Sequence, residues 1–112
     1  MKLIAAIIQP HKLDEVKSAL VSLGDIAMTS TEVSGFGRQK GHLEIYRGTE
    51  YVIDFVRKIK LEIVCRDDQY DSIIHIISES ARSGKIGDGK IFIQNVSNAY
   101  RIRTAETGDL AL

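Results

Sequence analysis

With 112 residues the chain is sized for one domain and one core. Fifteen Lys plus Arg balance fifteen Asp plus Glu, which excludes a broad nucleic-acid footprint but leaves room for a small basic pocket. The single cysteine, Cys65, excludes a disulfide framework or a cysteine-built zinc site within one chain, and is expected as a buried core thiol in a reducing cytoplasm. No charged-then-apolar leader opens the sequence and no apolar run nears the roughly 20 residues that span a bilayer, so a soluble, cytoplasmic chain without direct membrane insertion is expected.

The first element is the β-branched run KLIAAIIQ (2–9), a buried strand stopped by Pro10, which lacks a donor. KLDEVKSALVSLG (12–24) follows as a helix: Val16, Ala19, Leu20 and Leu23 form one stripe, Asp14 and Glu15 favour the positive end, and Gly24 terminates it. MTSTEVSGF (28–36) is a Thr- and Val-rich strand. In DFVRKIKLEIVC (54–65) alternation puts Phe55, Arg57, Ile59, Leu61, Ile63 and Cys65 on one face and Lys58, Lys60, Glu62 and Val64 on the other. DDQYDSIIHIISESARSG (67–84) is a second helix, with Asp67 or Asp68 as N-cap, a stripe of Ile73, Ile76, Ile77 and Ala81, and Gly84 as its stop. KIFIQNV (90–96) and AYRIRT (99–104) are strand-like. The same unit thus occurs twice, which predicts a ferredoxin-like βαββαβ sandwich of the α+β class, with two helices on one face of an antiparallel sheet.

Between the halves lies a polar excursion over 36–55, long for a compact domain. Its first part, GFGRQKGH (35–42), sets Gly35, Gly37 and Gly41 beside Arg38 and Lys40, which suits an anion held by backbone amides. Its later part, YRGTEY (46–51), offers a tyrosine to another enzyme, or simply packs that ring back on the body.

A second glycine-rich segment, GKIGDGK (84–90), nearly fits a P-loop but has Ile91 where Ser or Thr must hold magnesium, and it leaves a helix to enter a strand, the reverse of a P-loop. Taken alone it is read first as a turn, although Gly84, Gly87 and Gly89 could form an anion nest with Lys90 and Lys85. Arg101 and Arg103, if extended, share one face and make a fork for phosphates or carboxylates; a solvated edge strand is the plainer reading. Three cations near strand ends in a neutral chain tilt the choice to an anion site. His11, His42 and His75 have no metal spacing, and no nucleophile–base pair can be argued.

Together, GFGRQKGH, YRGTEY, GKIGDGKIF and RIRT closely resemble the nitrogen regulatory PII signal-transduction proteins, over nearly the whole chain. The resemblance implies one PII-like domain over 1–112, with a mobile loop at 37–55, a phosphate loop at 82–90 and a C-terminal loop at 102–112. It implies a homotrimer in which the polar sheet face turns inward, with nucleotide in the clefts between subunits. Gly87, Asp88, Gly89 and Lys90 match the loop around ATP or ADP phosphates, and Arg101 and Arg103 the arginines reaching across the interface. Thr29, Gly35, Glu62 and Val64 match positions around adenine and ribose, and Gly37, Arg38 and Gln39 the root of the long loop. Gln39, Lys40, Gly41, Lys58 and Gly87 match the 2-oxoglutarate site, with Gln39 sharing Mg with the ATP phosphates and that effector, and Lys58 pairing its distal carboxylate. Tyr51 matches a tyrosine uridylylated or adenylylated in some members.

The implied function is non-enzymatic: sensing ATP/ADP and 2-oxoglutarate and regulating a nitrogen-assimilation target through the loop. The target would be an ammonium channel, an adenylyltransferase or uridylyltransferase, an acetylglutamate kinase or a nitrogenase regulator. Thr49, Ala27, Gln9 and Ala105 depart from the family pattern, the last standing where glycine is common. Two other classes remain open: an acylphosphatase-like hydrolase on the same fold, and a nucleotide-independent oligomeric scaffold.

Overall fold

The computed structural model describes residues 1–37 and 55–112 and, between them, the backbone of two short strands. The elements are β1 (Lys2–Ile8), α1 (Leu13–Val21), β2 (Thr29–Gly35), β3 (Leu43–Tyr46), β4 (Thr49–Val52), β5 (Val56–Cys65), α2 (Tyr70–Ala81) and β6 (Gly89–Asn95). Four strands form one antiparallel sheet in the order β2-β5-β1-β6, the ferredoxin-like arrangement expected. The excursion between β2 and β5 is not all irregular: β3 and β4 pair antiparallel as a separate two-stranded sheet, with Glu44 opposite Tyr51.

β1 is central because it is apolar at every position but one, so both its neighbours can bury side chains against it. Its Ile4, Ala6 and Ile8 join Ile59, Leu61, Ile63 and Cys65 of β5 on the helix-facing side. Val16 and Leu20 of α1 and Ile73, Ile77 and Ala81 of α2 close the core from above. Each large side chain so buried stabilises the fold by about 2 kcal/mol through loss of apolar surface to water. Cys65 is a buried free thiol whose pKa is raised, chiefly because burial disfavours the thiolate.

Several boundaries depart from the pattern. α1 stops at Val21, and Leu23 is 46% exposed rather than part of the stripe. The N–H groups of Leu23 and Gly24 turn back to Leu20 and Val21, and Gly24 takes φ +123°. α2 begins at Tyr70, after Gln69, and neither Asp67 nor Asp68 caps it: Asp67 accepts from the Met1 amine at 2.6 Å and Asp68 pairs with Arg66. Phe55 and Arg57 continue the period-2 pattern of β5 but lie beyond the helices and are exposed.

AYRIRT (99–104) is not a strand. Only Tyr100 and Thr107 bridge, and between them the chain reverses: Arg101 N–H donates to the Glu106 carbonyl at 2.9 Å, and Ala105 N–H to the Arg101 carbonyl at 2.8 Å. Tyr100 and Ile102, alternating with Arg101 and Arg103, gave the segment its strand-like look, and both are exposed, Ile102 fully. Closing the turn puts Ala105 at φ +61°, where a Cβ costs about 1–2 kcal/mol.

The sheet's other face is open, with Leu3, Ala5 and Ile7 of β1 half-buried, and Val64 and Phe92 exposed. Lys60 and Glu62 lie there too, 3.9 Å apart. Among the described residues no helix is long and apolar enough to cross a membrane.

Candidate functional site

At one end of the open face β1 finishes, β2 reaches Gly35, β5 begins, and the segment after α2 turns into β6. The connection from Arg82 to Asp88 has no apolar side chain to bury except Ile86, which is 78% exposed, so other forces set its path. One is steric. Gly89 has φ +107° and lies so close to β1 that an added Cβ would stand 1.7 Å from the Ile7 carbonyl oxygen. Only glycine permits this approach. Gly87, at φ +100°, turns the chain just before it.

The other force is a carboxylate. Asp88 accepts from Ser83 N–H at 2.8 Å, from Gly84 N–H at 2.9 Å and from the Ser83 hydroxyl, while Lys85 N–H donates to Ser83 Oγ at 3.2 Å. These donors hold the Asp88 carboxyl below the usual carboxylate range, the Ser83 hydroxyl contributing most.

The result is a cleft of about 680 Å³ lined by Gly35, Phe36, Gly37, Lys58, Ile86, Gly87, Gly89, Lys90 and Phe92, together with Ile7. Lys58 is 7% exposed, the one buried charged residue among the described residues, and its amine donates to the Gly87 carbonyl at 2.5 Å. Loss of water lowers its pKa, and the Asp88 charge opposes that shift. A buried amine at the wall of an open cleft is suited to an acidic ligand, which would supply a counter-charge inside the cleft. Phe36 and Phe55, the first and last residues of the excursion, pack ring to ring with centroids 5.9 Å apart. They tie its two ends beside this cleft.

A second cleft, of about 710 Å³, lies at the other end of the sheet, where Thr29, Glu62, Val64 and Arg101 come together with Ile26, Ala27 and Met28. Arg101 donates to the Leu112 carbonyl at 2.8 Å and sits 3.5 Å from Glu106.

The sequence-predicted residues therefore divide. Gly35, Gly37, Lys58, Gly87, Gly89 and Lys90 meet in the first cleft; Thr29, Glu62, Val64 and Arg101 meet in the second. Within one chain Lys90 and Arg101 are not neighbours, and Arg103 is exposed on the turn beside neither cleft. The expectation that Arg101 and Arg103 share a strand face is corrected by the turn. Arg38, Gln39, Lys40 and Gly41 lie outside the described residues, as do the side chains of Thr49 and Tyr51. Asp88 lines a different, smaller cavity of about 350 Å³ between α2 and β6. Among the described residues no three His, Cys, Asp or Glu side chains gather as a metal would need, and His11 and His75 are exposed.

Sequence reasoning missed Ser83, whose neighbours in the chain gave no sign that it bonds to a residue five positions on. It also missed the aromatic lining from Phe36 and Phe92. The two phenylalanines at the ends of the excursion were a usable signal.

The family model described as "Nitrogen regulatory protein P-II" matches residues 1–106. The chain belongs to that family. A P-II protein of Rhizobium meliloti (strain 1021) is 56% identical over 108 residues, covering 96% of each chain. The P-II protein of Pasteurella multocida and P-II protein 1 of Escherichia coli (strain K12) are each 55% identical over 112 residues, the full length of both chains compared. The resemblance carried by the four motifs is thus borne out over the whole chain, and the relatives are named as regulators rather than enzymes. A P-II chain is a nitrogen-regulatory signalling protein, and the clefts are where its chemistry is sought.

Proposed function

We propose that this P-II chain works as a cytoplasmic homotrimer that senses ATP against ADP together with 2-oxoglutarate, without turning them over, and transmits the result to a protein target through the segment 37–55. The observation that carries this reading is the first cleft. Two lysines, Lys58 and Lys90, and the close-set glycines Gly87 and Gly89 line it, and no carboxylate does so among the described residues. Such a lining suits phosphates and carboxylates, which backbone N–H groups and ammonium ions bind well.

Trimer formation is supported by what one chain leaves unfinished. Leu3, Ala5, Ile7, Val64 and Phe92 form an open sheet face that no helix covers among the described residues. The second cleft supplies an apolar slot with a threonine, a glutamate and an arginine, suited to a nucleoside, but it lies away from the lysines. In a closed ring of three, the first cleft of one subunit would meet the second cleft of its neighbour, and the two half-sites would make one. The sites assigned to Gln39 for magnesium and to Lys40 and Gly41 for 2-oxoglutarate, with Tyr51 as the modified residue, belong to this proposal. So do the targets: an ammonium channel, an adenylyltransferase or uridylyltransferase, or an acetylglutamate kinase.

Effector binding would shift the segment between two states only through a difference in affinity for them. Titration calorimetry tests the reading. ATP is expected to bind, 2-oxoglutarate to bind tightly only with ATP and magnesium present, and Arg103→Ala to weaken ATP. Equal 2-oxoglutarate affinity without ATP would remove the shared site.

A further inference from the structure

The segment Ser83–Asp88 contains a carboxylate in a place that looks wrong for it. A loop meant to receive phosphates gains nothing from a nearby negative charge, which repels them. Asp88 stands between Gly87 and Gly89, both of which line the lysine cleft, yet Asp88 does not line it. Its side chain faces the other way, towards the small cavity between α2 and β6. There it is saturated by three donors from two residues: Ser83 N–H, Gly84 N–H and the Ser83 hydroxyl. A carboxylate can accept all three at once, whereas a neutral amide has one acceptor oxygen and a hydroxyl fewer geometries.

We infer that the Asp88 carboxylate is a positioning group and not a phosphate ligand: with Ser83 it closes residues 83–88 into a clasp that aims the cleft side of Gly87, Gly89 and Lys90. The inference rests on the nucleotide reading above and deepens it, giving the Asp88 side chain a task in the loop that the resemblance matched to the phosphates. Two further features agree. Lys58 donates to the Gly87 carbonyl, so the clasp also fixes one wall against β5. The carboxyl is held ionised by its donors, with Lys12 adding a favourable charge. Serine at 83 has a role here that neither charge nor periodicity signalled.

The sign of the change in ATP affinity discriminates between the two roles. If Asp88 acted mainly by its charge, neutralising it would strengthen ATP binding. If it positions the loop, neutralising it weakens ATP binding, because the loop must be ordered anew. The experiment combines ATP titration with amide hydrogen exchange on the full chain, for the wild type, Asp88→Ala, Asp88→Asn and Ser83→Ala. The expected order of loss in ATP affinity is Asp88→Ala, about tenfold or more, then Asp88→Asn, then Ser83→Ala. Amide protection at Ser83 and Gly84 is expected to fall in the same order.

Three results would overturn the inference: ATP affinity unchanged or raised in both Asp88 variants; affinity lowered with the two amides still protected, which would make Asp88 a direct ligand; or no protection at Ser83 and Gly84 in the wild type. Should Asp88→Ala fail to fold, Asp88→Asn and Ser83→Ala carry the same comparison. Should the wild type take up no ATP, the nucleotide reading fails separately, and the exchange measurement alone decides whether Asp88 closes the loop.

Discussion

Two segments proposed to meet anions, 83–90 and 101–107, are built on opposite principles. The first is finished within one chain: Gly89 lies against the Ile7 carbonyl, Asp88 gathers three donors, and Lys58 reaches the Gly87 carbonyl. The second is a turn held by two backbone bonds, with an alanine in the left-handed region, Ile102 bare and Arg103 exposed. The difference teaches where preorganisation sits. The first segment is set by the fold of a single subunit; under the proposed trimer, the second would present its groups to another copy.

The sharpest way to break the contrast is at its tightest point. Gly89→Ala should cost about 3 kcal/mol or more, because its Cβ would overlap the Ile7 carbonyl at 1.7 Å and its φ of +107° is unfavourable for alanine. Gly24→Ala is the control, with φ +123° but nothing within 4 Å, and should cost only about 1 kcal/mol. Thermal unfolding midpoints measure both, and equal shifts would deny the close approach its importance.

Next in size is the effect on ligands. Lys90→Ala should lower ATP affinity about tenfold or more by removing a charge-assisted bond, with little change in melting temperature, since Lys90 is exposed. Lys58→Met should abolish the response to 2-oxoglutarate while leaving stability unchanged or slightly higher, because a buried amine is replaced by an apolar chain of similar length. Calorimetry and a melting curve separate the two effects.

The pH dependence of the clasp follows from the direction of the Asp88 shift. Its folded pKa lies below the unfolded value, near 3.9. Its stabilisation is therefore fully present above that value and is lost as pH falls through the lower, folded pKa. Protection of the Ser83 and Gly84 amides should persist through the neutral range and vanish only in acid. Loss near pH 6 would point to a histidine instead.

The smallest expected effect lies in the other segment. Ala105→Gly should stabilise the turn by about 1 kcal/mol, because glycine accepts φ +61° without the Cβ penalty. A melting temperature that falls would show the turn relaxed in solution.

Much of the fold was legible because its period was. Ile4, Ala6 and Ile8, then Ile59, Leu61 and Ile63, alternate as a half-covered strand must, and Ile73, Ile77 and Ala81 repeat as a helical stripe must. Helix ends were less legible, since Leu23 continues the α1 stripe in sequence after the chain has turned away. AYRIRT misled because three alternating polar and apolar residues cannot distinguish a strand from a tight turn. In the site, the glycines announced the loop but not its closing bond: Ser83 and Asp88 are ordinary residue types whose pairing exists only once the loop is folded. That the two clefts lie at opposite ends of one chain was not legible in the residue pattern itself, where Lys90, Arg101 and Arg103 looked like one cluster near neighbouring strand ends.

The central claim is that these halves belong to different subunits, and a mixed assembly tests it directly. Lys90→Ala disables the first half and Arg101→Ala the second, so each variant alone should bind ATP poorly. Unfolded together in equal parts and refolded as mixed trimers, about a quarter of the interfaces in a random closed ring would pair an intact Lys90 with an intact Arg101. The account predicts that tight ATP binding returns at about that fraction of the wild-type capacity. A mixture that binds no better than either variant alone would contradict it.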